Sequence, residues 1–167
     1  NNWYKMKICL IIPTLNEEKN IIKLCNNIRK TKIKLNILFI DDNSSDQTQS
    51  IIKSIKKKYT NIDYLFRKKK TGIGSAHKDG IKFCYKKKYD LIITMDADGT
   101  HDPKYLKKMI SKASTYDYVI TSRYNGKNLL VDWPLFRKVL TYTRHFLVRT
   151  FLGMSYDASG AYRCFFT

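Results

Sequence analysis

Short apolar runs alternate with helical stripes along almost the whole of this chain, and that alternation excludes most architectures. The runs cover residues 6–12 (closed by Pro13), 35–40, 62–66, 91–95 and 118–122. Between them apolar side chains recur at helical spacing. Ile21, Leu24, Cys25 and Ile28 form one stripe within residues 17–29, with Asn16 as its expected N-cap. Ile51, Ile52, Ile55 and Tyr59 form a second, behind a capping-box-like Ser44-Ser45-Asp46-Gln47. Ala76, Gly80 and Phe83 mark a third, and Leu106, Met109, Ile110 and Ala113 a fourth, opened by Asp102 as N-cap and Pro103 at the first helical position. Residues 134–152 read as a further helix. Strands alternating with helices imply an α/β fold, a mostly parallel sheet with helices on both faces.

Such sheets bind ligands outside the carboxyl ends of their strands, and the polar clusters of this chain fall there. Pro13-Thr14-Leu15-Asn16-Glu17 follows the first run, Asp41-Asp42 the second and Asp96-Ala97-Asp98 the fourth. Side chains alternate along a strand, so Asp96 and Asp98 point the same way if the extended conformation persists. Two convergent carboxylates suit a hard divalent cation such as Mg²⁺ or Mn²⁺, which takes oxygen ligands and holds substrate phosphates. The alternative is that they cap the turn that follows. Gly72-x-Gly74 lacks the third glycine of a dinucleotide fingerprint, His77 standing in its place, and reads as turn and helix-packing chemistry. His101 reads as a packing or capping residue rather than a ligand.

Charge and composition narrow the partners. The net charge is +18, from 32 basic and 14 acidic residues in a chain of 167. The bases are mostly lysines clustered at element ends, such as Lys56–Lys58, Lys68–Lys70 and Lys86–Lys88, and no nucleic-acid-binding motif accompanies them. An anionic membrane surface is the better use of this charge, at about 1 kcal/mol per well-placed base. No apolar run approaches the roughly 20 residues that span a bilayer, and no secretory signal is visible. Cys9, Cys25, Cys84 and Cys164 lack metal-type spacing, which points to free thiols in a reducing, cytoplasmic setting. A patterned stretch, residues 157–166, ends one residue before Thr167. The expectation is a single catalytic domain over residues 1–167 whose natural sequence continues.

Four motifs in order carry a family resemblance. Pro13-Thr14-Leu15-Asn16-Glu17-Glu18, Asp41-Asp42-Asn43-Ser44-Ser45-Asp46-Gln47-Thr48, Asp96-Ala97-Asp98-Gly99-Thr100-His101-Asp102-Pro103 and Ser122-Arg123-Tyr124 resemble those of family 2 glycosyltransferases with the GT-A fold. Within that family the chain is most similar to the dolichyl-phosphate mannosyltransferase and polyprenyl-phosphate glycosyltransferase group, over residues 6–166. The resemblance implies that Pro13, Leu15 and Glu17 border the nucleotide and that Asp42 accepts a hydrogen bond from its base or ribose. It also implies that Asp96, with Ala97 beside it, contacts the sugar nucleotide, and that Asp98 binds the metal with Asp96 and help from Thr100. Thr100 stands where other members have Gln. Arg123 then reaches a donor or acceptor phosphate, and Asp157 faces the acceptor.

Each residue also has a plainer role open to it: Asp42 as a helix cap, Arg123 as a structural ion-pair partner, Asp157 as a turn former. The function implied is metal-dependent, inverting transfer of a hexose from a nucleotide-diphosphate sugar, of GDP-mannose or UDP-glucose type, to a polyprenyl phosphate at the cytoplasmic face of a membrane. Transfer to a saccharide hydroxyl, and a basic nucleic-acid- or membrane-binding module on a degenerate transferase fold, are the rivals. A sugar-phosphate nucleotidyltransferase is disfavoured, because its glycine-rich N-terminal loop with Arg and Lys is absent.

Overall fold

The structure, a computed structural model, describes residues 5–122, 134–154 and 160–167. The chain divides into two compact units, one formed by Asn1–Val119 with Tyr162–Thr167 and the other by Ile120–Ala161. The first carries most of a six-stranded sheet. Its strands are β1 (Ile8–Thr14), β2 (Asn36–Asp41), β3 (Ile62–Phe66), β4 (Leu91–Thr94) and β6 (Arg163–Phe166), and β5 (Tyr118–Ile120) lies across the division. The spatial order is β3-β2-β1-β4-β6-β5. β1 pairs in parallel with β2 and β4, β2 in parallel with β3, and β6 runs antiparallel to β4. Neighbouring β1 and β4 thus deliver Pro13 and Asp96 to one edge.

Alternation along the buried strands sorts the core into two layers. Ile8, Leu10 and Ile12 of β1 and Ile37 and Phe39 of β2 pack against α1 (Ile21–Lys30), α2 (Thr48–Lys58) and α4 (Leu106–Ala113). Cys9, Ile11, Leu38, Ile40 and Ile92 face α3 (Ile73–Lys86) through Ala76 and Cys84. A central strand buried on both faces has no polar side to spare, which is why β1 and β2 read as continuous apolar runs. Each fully buried Ile, Leu or Phe contributes roughly 1.5–3 kcal/mol, and most of the strand side chains here are fully buried. α3 approaches most closely at Gly80, where a Cβ would lie 2.6 Å from Ile40 Cδ1 and 2.8 Å from Ile11 Cγ2. The four cysteines are free and buried.

Two helix starts differ from the sequence expectation. Asn16 does not cap α1, which begins at Ile21; it adopts φ +56°, and its Oδ1 accepts the Ser45 N–H at 2.9 Å. The Ser44–Gln47 capping box does not form, and Gln47 is the N-cap of α2 without a side-chain capping bond, its Oε1 accepting the Ser50 hydroxyl at 2.8 Å instead. Asp46 instead accepts the Thr48 N–H at 2.9 Å and, from the other loop, the Glu18 N–H at 3.2 Å. Burial pushes its carboxyl up, but the hydroxyl and N–H of Thr48 and the N–H of Glu18 together hold it below the usual carboxylate range. The loops after β1 and β2 are therefore stitched to each other. Asp102 and Pro103 do open a helical segment, a 3₁₀ turn Pro103–Tyr105 that leads into α4.

In the second unit the described helix is α5 (Leu135–Leu152), ended by Gly153 at φ +64°. It exposes Leu135, Phe136, Val139, Leu140, Phe146, Leu147 and Phe151. No helix among the described residues is long and apolar enough to cross a membrane.

Candidate active site

Three parallel strand ends and the start of α3 enclose a cleft of about 310 Å³ within the first unit. Pro13, Thr14, Leu15 and Glu17 come from the end of β1, Asp42 from β2, and Asp96, Ala97 and Asp98 from β4. Lys70, Gly72, Ile73 and Ala76 close the remaining side.

Asp41 and Asp42 have opposite surroundings because they lie on opposite faces of β2. Asp41 is fully buried and saturated: it accepts from the Thr14 hydroxyl (3.0 Å), the Ser44 N–H (2.9 Å) and the Gln49 amide (2.6 Å). Asp42 turns toward α3. It accepts the N–H groups of Thr71 (3.0 Å) and Gly72 (2.8 Å) and pairs with Arg67 Nη1 at 3.2 Å. Arg67 also reaches Asp79 at 3.5 Å and the Gly72 carbonyl at 3.3 Å. Gly72, at φ +90°, takes a backbone conformation that costs an L-residue energy. The Asp42 clamp thus fixes the loop that brings Lys70 and Gly72 into the cleft.

β4 ends at Thr94 and the chain bends over residues 97–99, with Ala97 buried while Asp96 and Asp98 border the cleft. Asp98 is exposed, and its Oδ1 accepts both the N–H (2.9 Å) and the hydroxyl (2.7 Å) of Thr100. Thr100 therefore acts on the cleft through Asp98. The Asp96 N–H donates to His101 Nδ1 at 2.9 Å, which leaves that nitrogen without a proton and rules out an ion pair across the 3.8 Å to Asp96 Oδ2. His101 stacks on Tyr162 with centroids 5.0 Å apart, and the Tyr162 hydroxyl donates to the Asp102 carbonyl at 3.3 Å. Burial, with the Asp102 charge, pushes the Tyr162 phenol up, so it remains a donor. His101 is a packing residue that steadies the acidic turn.

Whether this turn suits a divalent cation can be judged from its oxygens. Asp96 Oδ1 is buried and makes no hydrogen bond, and Asp98 is open to solvent at the cleft. Among the described residues no group of three or more His, Cys, Asp or Glu side chains converges on a metal position. Two carboxylates with few further protein ligands fit a Mg²⁺-like ion, which keeps waters and completes its shell with substrate phosphates.

Arg67 escaped the sequence reading, and Lys70, His77 and Arg163, though seen in it, were not read as site residues. Arg67 follows β3, so the third strand end was a signal within reach; Lys70 was masked by its lysine neighbours. Arg163 is registered with Thr94 across β4 and β6. Burial holds the His77 imidazole below its usual pKa, Asp96 pulling it up and Arg163 pushing it down. Arg123 and Asp157 lie outside the described residues.

A mostly parallel sheet with a nucleotide-sized cleft and an acidic pair at its carboxyl edge is the architecture of GT-A glycosyltransferases. The chain belongs to glycosyl transferase family 2, whose family model matches residues 9–166. It is 30% identical over 96% of its length to an undecaprenyl-phosphate mannosyltransferase of Micrococcus luteus. It is 29% identical over 93% to a polyprenol monophosphomannose synthase of Mycolicibacterium smegmatis. The chain spans 66% and 60% of the length of these relatives. Among solved structures it is similar to glucosyl-3-phosphoglycerate synthase from Mycobacterium tuberculosis in complex with Mn²⁺, UDP and phosphoglyceric acid. That match has a TM-score of 0.63 at 17% identity, covering 97% of this chain and 56% of the other.

Proposed function

We propose that the chain is the catalytic domain of a metal-dependent, inverting glycosyltransferase that moves a hexose from a nucleotide-diphosphate sugar to a polyprenyl phosphate. The observation that carries this reading is the meeting of Pro13, Leu15, Glu17 and Asp42 with Asp96 and Asp98 in one cleft. The apolar and polar residues after β1 and β2 suit a base and ribose. Lys70 and the positive end of α3 suit the diphosphate. Asp96 and Asp98 would hold Mg²⁺ or Mn²⁺, which when bound offsets the charge growing on the leaving diphosphate.

The acceptor follows from relatives and surface. Both curated relatives are named for polyprenyl-phosphate-type mannosyl transfer. At 100° per residue, Leu135, Phe136, Val139, Leu140, Phe146, Leu147 and Phe151 fall on one half of α5, and Lys138, Arg144 and Arg149 fall on the other together with the exposed Tyr142 and Leu152. Exposed apolar and basic side chains together on one helix suit the interface of an anionic bilayer. A lipid phosphate is already anionic at neutral pH and needs no general base; a saccharide hydroxyl needs one, and Asp157 is the candidate.

The test is a transfer assay with Mn²⁺, GDP-mannose or UDP-glucose, and undecaprenyl or dolichyl phosphate. Product should form on the lipid phosphate, and Asp157→Asn should retain substantial turnover. Transfer only to a sugar hydroxyl, with Asp157→Asn inactive, would replace the lipid acceptor by the saccharide one.

A further inference from the structure

β3 and α3 are joined by residues 67–72, and the middle of that connection, Lys68-Lys69-Lys70-Thr71, is exposed and has no apolar side chain to pack it down. The place of this strap is therefore set by polar bonds at its two ends. Of the residues that line the cleft, Lys70 alone is basic, so where the strap lies decides whether the cleft presents a positive charge.

One residue holds both ends. The Arg67 N–H donates to the Asp41 carbonyl at 3.0 Å, which extends the β2–β3 pairing by one residue and fixes the near end. Its guanidinium then reaches forward. Nη1 meets Asp42 Oδ1 at 3.2 Å and the Gly72 carbonyl at 3.3 Å, Nη2 donates to the Ser75 hydroxyl at 2.5 Å, and Nε lies 3.5 Å from Asp79 Oδ2. All three nitrogens are thus engaged, on the end of β2, the far end of the strap and the first two turns of α3. Asp42 completes the hold by accepting the N–H groups of Thr71 and Gly72 at 3.0 and 2.8 Å.

We propose that Arg67, which is not among the residues lining the cleft, is a positioning residue for the nucleotide sugar: it closes the strap into a ring and so presents Lys70 to the diphosphate. Only a planar guanidinium serves these four partners at once, because its five donors lie in a rigid fork; an ammonium is a point charge that reaches one or two of them. The side chain is 12% exposed, so water does not take its place. The inference rests on the nucleotide-sugar reading of the cleft and adds the residue behind its wall.

A double-variant cycle in binding separates positioning from a purely structural ion pair. With Mn²⁺ present, the intact chain is titrated calorimetrically with GDP and with UDP. Lys70→Met should bind the preferred diphosphate about tenfold more weakly, the loss of one charge-assisted bond. Arg67→Lys keeps a charge facing Asp42 but leaves the Gly72 carbonyl and Ser75 unheld, and it should also lose about tenfold. The two changes together should bind no more weakly than either alone, since a displaced Lys70 has no contact left to lose. Should Arg67→Lys not fold, Ser75→Ala, which removes one of the four partners, should show a severalfold loss that disappears in the Lys70→Met background. Wild-type affinity in Arg67→Lys or in Lys70→Met, losses that add in the double variant, or a Ser75→Ala loss that persists without Lys70 would overturn the proposal and leave Arg67 as a structural ion pair. Wild type that binds neither diphosphate would overturn the nucleotide-sugar reading itself, and the role of Arg67 with it.

Discussion

Replacing Asp42 by alanine removes the acceptor of two backbone N–H groups, Thr71 and Gly72, and the nearest counter-charge of Arg67, 3.2 Å away. The Arg67 side chain is only 12% exposed and that of Asp42 7%, so water replaces little of what is lost. Breaking a buried ion pair from one side costs about 3–5 kcal/mol. Arg67 keeps Asp79 at 3.5 Å, itself 42% exposed, and the Gly72 carbonyl, which places the cost near the lower bound, about 3 kcal/mol.

Urea unfolding at pH 7, followed by circular dichroism, measures this for Asp42→Ala, Arg67→Met and the double variant. The double variant should be more stable than the sum of the single losses implies, by roughly 1–2 kcal/mol, because the stranded guanidinium is gone. A loss below about 1 kcal/mol for Asp42→Ala, or strict additivity, would refute the clamp and leave Asp42 as a nucleotide ligand alone. Where the clamp holds, weakened nucleotide binding in Asp42→Ala includes the displacement of Lys70 and Gly72.

Asp98→Ala should abolish Mn²⁺-dependent nucleotide binding while changing stability by less than about 1 kcal/mol, since the side chain is exposed; equal nucleotide affinity in variant and wild type, with and without chelator, would remove the metal role. Gly80→Ala should destabilise by about 1–2 kcal/mol in the same urea assay, overpacking against Ile11 and Ile40 outweighing the helix preference for alanine; a more stable variant would mean that α3 can lift off the sheet. Burial raises the Cys25 thiol from 9.0 to about 11, partly countered by Arg29. Its unfolded form ionises first, so the stability difference between wild type and Cys25→Val should be constant below pH 9 and shift against wild type, by roughly 2–3 kcal/mol, as pH rises to about 11. A flat difference would contradict the burial. Sedimentation with vesicles should recover the chain on phosphatidylglycerol and not on phosphatidylcholine, and Phe146→Ser with Phe151→Ser should weaken that binding severalfold; binding unaffected by these changes would move the contact off α5.

The strands and the acidic edge were legible because apolar runs that end in carboxylates survive any detail of packing. Residues 62–66 were read to the residue and β4 nearly so, and the four residues read as the buried face of α4 are its buried residues. Helix starts were less legible. Asn16 and Asp46 are good caps by composition, but each bonds across to the other loop, to Ser45 and Glu18, a tertiary use that local spacing does not encode. β6 was seen as structured without being seen as a strand, since antiparallel pairing with β4 is set by a distant partner. Cleft residues from apolar runs and motifs were found; Arg67, which acts through Asp42 brought in by folding, was not.

The place of β6 between β4 and β5 has a kinetic consequence. β4 carries the acidic turn, yet its outer neighbour is made only after the whole of the Ile120–Ala161 unit. During synthesis β1 through β4 can associate while β4 still offers an open edge. The stacking of Tyr162 on His101 must also wait. Non-local pairing of this kind slows folding and prolongs exposure of an unpaired strand. The acidic turn is thus among the last parts of the molecule to be steadied. Ribosome-bound chains halted before β6 should be protease-sensitive at residues 96–102 long after β1 and β2 have become resistant.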